Sequence, residues 1–431
     1  MNATYRYWIF AAGAALTLAS CRQDTPALPT QSGDATVITF NSPYTVDSRS
    51  DAMRSGNFET GDKVGVLGYC IASNQGVDIS TSPWDTKKPF CTPDVFYNQE
   101  LEYSGTGMWD YTWTGGSGAW EDSSPVGNKL HPWAENENYT YSFFAYYPYA
   151  LVDRNGEGTI TIDDIDMGEI ELSGDDETGD PTITYTMPHG GANSLTSTLN
   201  WWEVPDFMLA YKTDHYKRDG SVKLEFRHLF CAFEFVINNY NLKPVTIEDF
   251  YIHGGATVDG TKEGDPLSGF YKSLTVTGQQ NDYSVGDDIY IGRFKLVGRT
   301  STGEDEHILE SFTCDAATED ANGNVIPKSK YITYPPESED SEDAISLLFI
   351  PDQFGKLTSG GNKDIRLSLN IRPQDEPTVE VEERTMNLEN VSFQSGVRSI
   401  FNINIIGNDF YIQMRSDGSW DDGGESDIVF E

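Results

Sequence analysis

The sequence has few basic residues. Lysine and arginine total 29 against 68 aspartates and glutamates, which gives a formal net charge of −39 at pH 7. A chain this acidic is excluded from binding nucleic acids by neutralising their phosphates, and it is a poor match for an acidic membrane surface. After residue 20, no apolar stretch approaches the roughly 20 residues that a membrane-spanning helix needs.

Sequence patterns of common catalytic and metal sites are also lacking. The six histidines are scattered, and there is no HExxH pair, no CxxC pair, no GxSxG elbow and no P-loop. His228 lies in a strand-like run, where a core or cross-strand histidine is expected. The chain is therefore predicted not to be an enzyme and to need no cofactor.

The first 20 residues have the form of an export signal. Arg6 is followed by an apolar run over residues 8–19, which is too short to span a bilayer. The run ends at Leu18-Ala19-Ser20-Cys21, which resembles the lipobox of bacterial lipoproteins, where the cysteine thiol receives a diacylglycerol. We therefore predict a signal peptide over residues 1–20, lipidation at Cys21 and a polar tether over residues 21–34. The alternative is an ordinary secretory signal that carries a cysteine.

Four cysteines remain once Cys21 is lipidated. Cys70 and Cys91 flank a turn-rich insertion and are predicted to form a disulfide in an oxidising compartment. Cys231 lies in an apolar run and is predicted to be a buried thiol. Cys314 has no evident partner.

Alternation of apolar and polar residues is the dominant pattern, and no window predicts a long amphipathic helix. The 13% of aromatic residues and the 40 glycines are typical of short strands separated by turns. The chain is predicted to be all-β. Alternating segments are Ala35–Phe40, Tyr139–Ala145, Val222–Arg227, Phe233–Ile237, Ile365–Arg372, Phe401–Ile405 and Phe410–Met414.

The length of 431 residues favours two domains. Two β-sandwiches are the simplest arrangement of so many short strands. The polar stretch over residues 238–244 is the predicted boundary, which gives domains over residues 35–240 and 241–431.

One segment has a spacing close to that of a calcium loop. Asp153, Asn155, Glu157 and Asp164 offer oxygen ligands around Gly156. The same residues also suit a hairpin turn between Tyr146–Leu151 and Thr159–Ile162, through Asn-Gly turn chemistry. We expect the hairpin turn and keep the metal site as a weak alternative.

The insertion between Val66 and Tyr139 is rich in tryptophan. Two interpretations stay open: a platform on which sugars stack, or aromatic filler for a core. The residues concerned are Trp84, Trp109, Trp113, Trp120 and Trp133.

Several segments, taken in order, match one family pattern: Phe58–Val66, Tyr141–Pro148, Asp206–Ala210, Val222–Phe235, Leu348–Pro351 and Trp420. Together they resemble the fimbrillin family of Bacteroidetes type V pilus subunits, particularly its minor-fimbrillin-like branch. The resemblance is loose but spans most of the chain, and the long tryptophan-rich insertion departs from it.

The resemblance implies two tandem transthyretin-like β-sandwich domains and assembly by strand exchange with other fimbrillin subunits. In that scheme a protease cuts after an arginine that follows the first strand, here Arg49 or Arg54. The first strand leaves, and a neighbouring subunit donates a strand in its place. The donor segment would be Phe410–Met414 or Asp427–Glu431.

The leading functional hypothesis is a structural or adhesive fimbrial subunit, lipid-anchored in the outer membrane and exposed at the cell surface. Host or bacterial receptors or glycans are further possible partners. The alternative is a surface glycan-binding lipoprotein of a polysaccharide uptake system. A secreted hydrolase is the third and least favoured hypothesis.

Overall fold

A computed structural model describes the chain in blocks. Residues 35–431 form one compact unit. The predictions that involve Cys21, Arg49, Arg54 and Asp164 lie outside the described residues. The described residues are 36–42, 58–71, 79–113, 130–162, 165–172, 178–187, 205–254, 270–271, 273–279, 284–285, 289–290, 292–295, 299–302, 305–308, 311–331, 347–350, 356–358, 365–373, 384–387, 392–417 and 425–430.

Short strands dominate the described residues and are numbered in chain order. The strands before residue 240 are β1 (Phe40–Asn41), β2 (Lys63–Tyr69), β3 (Phe96–Tyr103), β4 (Met108–Asp110), β5 (Thr140–Tyr147), β6 (Glu157–Ile162), β7 (Ile165–Leu172), β8 (Thr182–Thr186), β9 (Met208–Tyr216), β10 (Val222–Lys223), β11 (Arg227–His228) and β12 (Cys231–Asn239). The strands after it are β13 (Val245–Gly254), β14 (Phe270–Tyr271), β15 (Ser273–Thr277), β16 (Ser284–Val285), β17 (Ile289–Tyr290), β18 (Gly292–Lys295), β19 (Arg299–Thr302), β20 (Asp305–Ile308), β21 (Ser311–Cys314), β22 (Thr318–Glu319), β23 (Val325–Ile326), β24 (Lys328–Tyr331), β25 (Leu347–Phe349), β26 (Lys356–Thr358), β27 (Ile365–Pro373), β28 (Arg384–Asn387), β29 (Ser392–Gln394), β30 (Arg398–Ile406), β31 (Asp409–Asp417) and β32 (Glu425–Phe430).

Helix is confined to single turns in the described residues. An α-helical turn, α1 (Trp84–Lys87), continues as a 3₁₀ turn over Lys88–Phe90, and a second 3₁₀ turn covers Lys217–Asp219. None of the described helices has the length and apolar character needed to cross a membrane. The all-β prediction is confirmed.

An eight-stranded sheet contains the first strand of the chain. Its order is β10-β1-β4-β3-β2-β5-β9-β11. The aromatic strand β5 is buried along its whole length, because its two faces contact different apolar clusters: Phe143 packs in one and Tyr146 in the other. The sequence pattern predicted one apolar face for this strand, whereas the structure buries both.

The eight-stranded sheet is rolled. Its outer strands β10 and β11 are joined along the chain by residues 224–226, a link that spans at most about 14 Å. Eight strands in a flat sheet would hold the outer two about 34 Å apart. The two edges of the sheet must therefore lie within about 14 Å of each other. The prediction of a single strand over Val222–Arg227 is wrong. Residues 222–223 pair with β1 and residues 227–228 pair with β9, so the run is divided between two strands.

A second sheet gathers the later strands in the order β24-β12-β30-β31-β32, with β25 also paired to β12. β12 runs parallel to β30 over Ala232–Asn239. The predicted boundary at residue 240 therefore separates β12 from the sheet to which it is hydrogen-bonded. Strands from before and after residue 240 also pair as β8 with β15. The division into two sandwiches stays a prediction.

The remaining strands form smaller sheets. One has the order β16-β15-β8-β7-β6, and another has β18-β13-β27-β28 with β21 also paired to β13. One apolar cluster, with members from Tyr146 to Met414, contains residues of both smaller sheets and of the second sheet. Another cluster, with members from Ile38 to Leu224, fills the rolled sheet.

Candidate assembly site around the first strand

Residues 36–42, here called the first strand, lie in a slot inside the rolled sheet. β1 pairs in parallel with β10 on one side and antiparallel with β4 on the other. The carbonyls of Thr39 and Asn41 accept hydrogen bonds of 2.8 and 2.9 Å from the amides of Val222 and Leu224. The backbone of the first strand is therefore bonded along both sides.

The N-terminal half of the first strand is held by residues 130–134, here called the strap. Two main-chain hydrogen bonds of 2.8 and 2.9 Å join the two segments. The Tyr111 hydroxyl donates to the Ile38 carbonyl at 2.8 Å and accepts from the His131 amide at 3.1 Å. One phenol thus ties the first strand to the strap. Sequence reasoning missed the strap, because its residues show no alternation.

The side chains of the first strand fill two apolar pockets. Ile38 and Phe40 are both 0% exposed, as expected for alternate residues that share one face of a strand. The ring of Phe40 lies 5.3 Å from that of Phe143, 5.8 Å from that of Phe96 and 5.9 Å from that of Tyr111, measured between centroids. The slot is built for an isoleucine followed two residues later by a phenylalanine.

The chain is anchored again at Phe58. The Phe58 ring lies 4.8 Å from the ring of Trp109 and 5.0 Å from that of Phe226. On the near side, the Ser42 amide donates to the Gly107 carbonyl at 3.0 Å. The link over residues 43–57 therefore starts and ends at points that are held by separate contacts. Both candidate arginines, Arg49 and Arg54, belong to this link.

The Gly-Asp pair of the family-like segment has a structural role. Gly61 has φ +101°, a conformation that favours glycine. The Glu59 amide donates to the Asp62 carboxylate at 2.6 Å, and the Tyr147 hydroxyl lies 3.4 Å from its other oxygen. Burial raises the pKa of Asp62 to about 6.

Gly65 in the same segment makes room for an aromatic ring. A Cβ at Gly65 would lie 2.3 Å from the ring of Tyr146 and 2.6 Å from Oδ1 of Asn98. The Tyr146 hydroxyl donates to that Asn98 oxygen at 2.6 Å, and the side-chain Nδ2 of Asn98 donates to the Ala150 carbonyl at 2.8 Å. Only glycine fits between these groups.

The last described strand, β32, lies at the edge of the second sheet. It pairs antiparallel with β31, from Phe430 opposite Ile412 to Glu425 opposite Asp417. Among the described residues, β31 is its one hydrogen-bonded neighbour. The other predicted donor, Phe410–Met414, lies inside the sheet between β30 and β32. The edge strand can therefore leave its sheet with the loss of one ladder, whereas β31 would break two.

Three tryptophans of the insertion lie in the core. Trp84, Trp109 and Trp133 are 0%, 3% and 7% exposed, and Trp113 packs at 4.4 Å against the His131 ring. The interpretation as core filler is confirmed for Trp84, Trp109 and Trp133, while Trp113 is half-buried against the core. Trp120 lies outside the described residues. The three buried rings are closed to a stacking sugar.

A buried lysine fixes the insertion, and sequence reasoning did not find it. Lys87 is 0% exposed, and its ammonium donates to the carbonyls of Cys70 at 3.1 Å and Ser80 at 3.3 Å, and to that of Thr140. Burial lowers the pKa of Lys87. Its cationic end supplies donors to three carbonyls from three segments, so it closes the insertion over β2 and β5.

The four cysteines that the structure describes are buried, and none of these four is in a disulfide. Burial raises the pKa of the Cys70 thiol to about 12 and that of Cys91 to about 11, so neither is a reactive thiolate at neutral pH. The predicted disulfide between Cys70 and Cys91 is not formed in this structure, and for the exported protein it stays a prediction. The buried thiol predicted at Cys231 is confirmed.

The calcium-like segment folds as a turn. Oδ1 of Asp153 accepts from the amides of Asn155 at 2.7 Å and Glu157 at 3.1 Å, and Gly156 has φ +80°. The carboxylate is thus used to shape the backbone. The hairpin is displaced from the predicted one, because β6 pairs with β7 and not with the end of β5. In the described part of the chain, no group of three or more metal-ligating side chains comes together.

Two histidines have structural surroundings. Nδ1 of His228 lies 2.6 Å from the buried carboxylate of Asp206, across the β9–β11 pair. His215 is 3% exposed and stacks on Trp133 of the strap at 5.7 Å, with Nε2 3.0 Å from the Gly220 carbonyl. Burial lowers the pKa of His215.

Comparison with known proteins gave a family match. The model of the family described as fimbrillin-like matches residues 49–413. No curated protein matches the chain.

A search of solved structures found chains that are similar to this one at low identity. A candidate cell adhesion protein of Bacteroides uniformis has 11% identity and a TM-score of 0.40, with 90% of this chain and 100% of that chain covered. One from Bacteroides ovatus has 12% identity and a TM-score of 0.37, over 92% and 96%. A fimbrial assembly protein of Parabacteroides distasonis has 10% identity and a TM-score of 0.31, over 91% and 97%.

Proposed function

This chain belongs to the fimbrillin-like family, and from that premise we propose that it is a cell-surface subunit of fimbriae, assembled by strand exchange. The observation that carries the proposal is the first strand. It is bonded along both sides, it fills two closed pockets, and it is joined to the rest of the sheet by one link over residues 43–57.

A cut in this link removes the covalent connection between the first strand and the rest of the sheet, and it leaves the contacts of Ser42 and Phe58 in place. Arg49 and Arg54 both lie in the link, and Arg49 is our choice because it follows the strand more closely. Departure of the strand leaves unpaired amides and carbonyls on β4 and β10 and two open apolar pockets. Unpaired backbone groups and exposed apolar surface both favour an incoming strand.

The N-terminal residues supply attachment in this proposal. Lipidation at Cys21 anchors the exported chain in the outer membrane, and residues 21–34 act as a polar tether between the lipid and the folded unit. Cleavage after Arg49 would then free the folded unit from both the anchor and its first strand in one step.

N-terminal sequencing of protein from sheared surface filaments tests this proposal. The expected mature start is Ser50, or Ser55 for cleavage after Arg54. Uncleaved protein in the membrane fraction should incorporate labelled palmitate, and Cys21→Ala should abolish that label. Filament-borne protein that still begins at Cys21 would contradict the cleavage step. Absence of the chain from filaments would contradict the proposed function and favour the glycan-binding alternative.

A further inference from the structure

The strap is packed through two histidines. Its own residue His131 is half-buried, with its ring 5.3 Å from that of Phe96 and 4.4 Å from that of Trp113, measured between centroids. His215 of β9 stacks on Trp133 of the strap, with an angle of 24° between the ring planes. Two groups that can gain a proton near neutral pH therefore pack at the point where the strap closes over the first strand.

The hydrogen bonds of both rings fit the neutral form. Nε2 of His215 lies 3.0 Å from the Gly220 carbonyl, so the ring hydrogen is on Nε2. Nδ1 of His215 is buried and has no hydrogen-bond partner among the described residues. Nδ1 of His131 lies 2.7 Å from the Pro132 carbonyl and carries its hydrogen there. A second proton on His215 would therefore need an acceptor that the described residues do not supply.

The turn that follows β9 places charges of both signs near His215. The Asp219 carboxylate favours a positive charge on the ring, but it already accepts from the Tyr216 amide at 2.9 Å. Lys217 and Arg218 of the same turn are cationic, and the Arg218 guanidinium lies 3.8 Å from the centre of the Tyr216 ring. The carboxylate of this turn is thus already engaged in shaping the backbone.

The other elements around His215 offer no counter-charge. β5 presents the Phe143 ring at 6.4 Å and, directly opposite in the ladder, the phenol of Tyr141. On β9 itself, Lys212 opposes a second positive charge. The face of Trp133 attracts a cation, but the loss of water around a buried imidazolium with an unbonded Nδ1 hydrogen outweighs that attraction.

The closed strap therefore resists protonation of both rings. Burial lowers the pKa of His131 and of His215 below the ordinary value of 6.5. An open strap would return the rings to water and restore that value, so the open form binds protons that the closed form refuses. The free energy that keeps the strap closed is consequently fully present above pH 6.5 and falls as the pH drops below it.

On the basis of the proposed function, we propose that the strap is an acid-released latch: protonation of His131 and His215 opens it and frees the N-terminal half of the first strand. Opening removes the two main-chain hydrogen bonds between the strap and the first strand. Phe40 stays in its pocket, because β4 and β10 still pair with the strand on both sides. A first strand held only at this end leaves its slot more easily after a cut, so mild acid promotes the exchange of strands.

Hydrogen exchange on the intact, uncut protein tests the latch. Exchange is measured by mass spectrometry at about pH 7.5 and about pH 5, and each rate is divided by the intrinsic rate at that pH. Protection of residues 130–134 should fall about tenfold for each unit by which burial lowers a histidine pKa. Residues 222–224, which bond to the first strand, should keep theirs. A local readout is needed because the raised pKa of Asp62 changes overall stability in the opposite direction.

Variants separate the two histidines from other effects of acid. His215→Gln keeps a donor for the Gly220 carbonyl, and His131→Asn keeps one for the Pro132 carbonyl, but neither new side chain takes up a proton between these pH values. Each single variant should lose part of the pH response, and the double variant should lose all of it. His228→Asn, on β11 of the same sheet, is the matched control and should keep the wild-type response.

Equal protection of the strap at both pH values in the wild type would overturn the proposal, and that result needs no variant. A loss of protection that extends to residues 222–224 would mean general unfolding and would overturn it as well. So would a pH response that survives in the double variant. All three results concern uncut protein and leave the proposed function standing, whereas absence of the chain from filaments removes the proposed function without touching the latch.

Discussion

The first strand and the last described strand each place an isoleucine two residues before a phenylalanine, at residues 38–40 and 428–430, but they are held differently. The first strand has neighbours on both sides and two side chains that are 0% exposed. The last strand, β32, has one neighbour among the described strands. We therefore expect similar side chains to contribute differently to the free energy of unfolding, depending on their place in a sheet. An interior strand is part of the core, while an edge strand is an addition to it.

Truncation of the two phenylalanines is expected to give the largest difference in stability between the two strands. Phe40→Ala is expected to lower the free energy of unfolding by about 3–5 kcal/mol, since it empties a pocket walled by three rings. Phe430→Ala, at the edge, is expected to cost about 1 kcal/mol or less. Urea unfolding of the intact, uncut protein measures both. Equal losses for the two variants would show that the edge strand is as much a part of the core as the first.

Removal of one hydroxyl tests the tie between the first strand and the strap. Tyr111→Phe leaves the Ile38 carbonyl and the His131 amide without the phenol that joins them. A loss of about 1–3 kcal/mol is expected from buried groups left unpaired. Tyr211→Phe, on an exposed tyrosine of β9, is the matched control and should change little. An unchanged midpoint for Tyr111→Phe would mean that the ladder alone holds the strand.

The pH dependence of stability tests the effect of the raised pKa of Asp62. Burial raises the pKa of this carboxyl from 3.8 to about 6 in the folded chain. Between these values the folded form keeps a proton that the unfolded form has lost, so this group's contribution to stability falls as pH rises through the window. Asp62→Asn keeps an acceptor for the Glu59 amide and should remove this fall, a gain of about 1 kcal/mol at pH 7.

The control for that measurement is Glu102→Gln, which removes an exposed carboxylate from β3. Chemical unfolding at intervals between pH 4 and pH 7 separates the two. A parallel pH profile for wild type and Asp62→Asn would assign the raised pKa no role in stability.

Two turns of the same sequence type allow the smallest comparison. Asp320-Ala-Asn-Gly-Asn repeats the pattern of Asp153-Arg-Asn-Gly-Glu, and Oδ1 of Asp320 likewise accepts from the amides two and four residues on, both at 2.8 Å. Asp153→Ala should cost about 0.5–1 kcal/mol through the lost turn bonds, and Asp320→Ala should also lower stability for the same reason. Added calcium should leave the thermal midpoint of the wild type and of both variants unchanged. A calcium-dependent rise that Asp153→Ala abolishes would restore the metal-site interpretation.

Local patterns predicted what depends on local physics. The alternation of β27, β30 and β31 gave these strands directly, and the Asn-Gly sequence after Asp153 indicated a turn. The choice of partner strands was not predictable, because alternation specifies a face and not a neighbour. Residues 222–227 were predicted as one strand, but their two ends belong to the outer strands β10 and β11 of one sheet. β12 reads as the end of the first half but pairs with β30.

The candidate site was predicted in part. The first strand was found from its alternation, and the resemblance supplied its functional role. The strap, Tyr111 and Lys87 were missed, because their contacts join segments that are distant in sequence and carry no periodicity. One signal could have led to Lys87: it is a lysine within an aromatic insertion, and a buried cation there needs carbonyl partners.

The slot also determines how a joint between two chains would respond to pulling. A strand bonded along both sides and drawn along its own axis loads all its hydrogen bonds at once, so they must fail together. An edge strand pulled away from its sheet fails one bond at a time. A filament in which each donated strand occupies a two-sided slot would therefore resist tension in shear at every joint, and the direction of pull, rather than the number of contacts, would set its tensile strength.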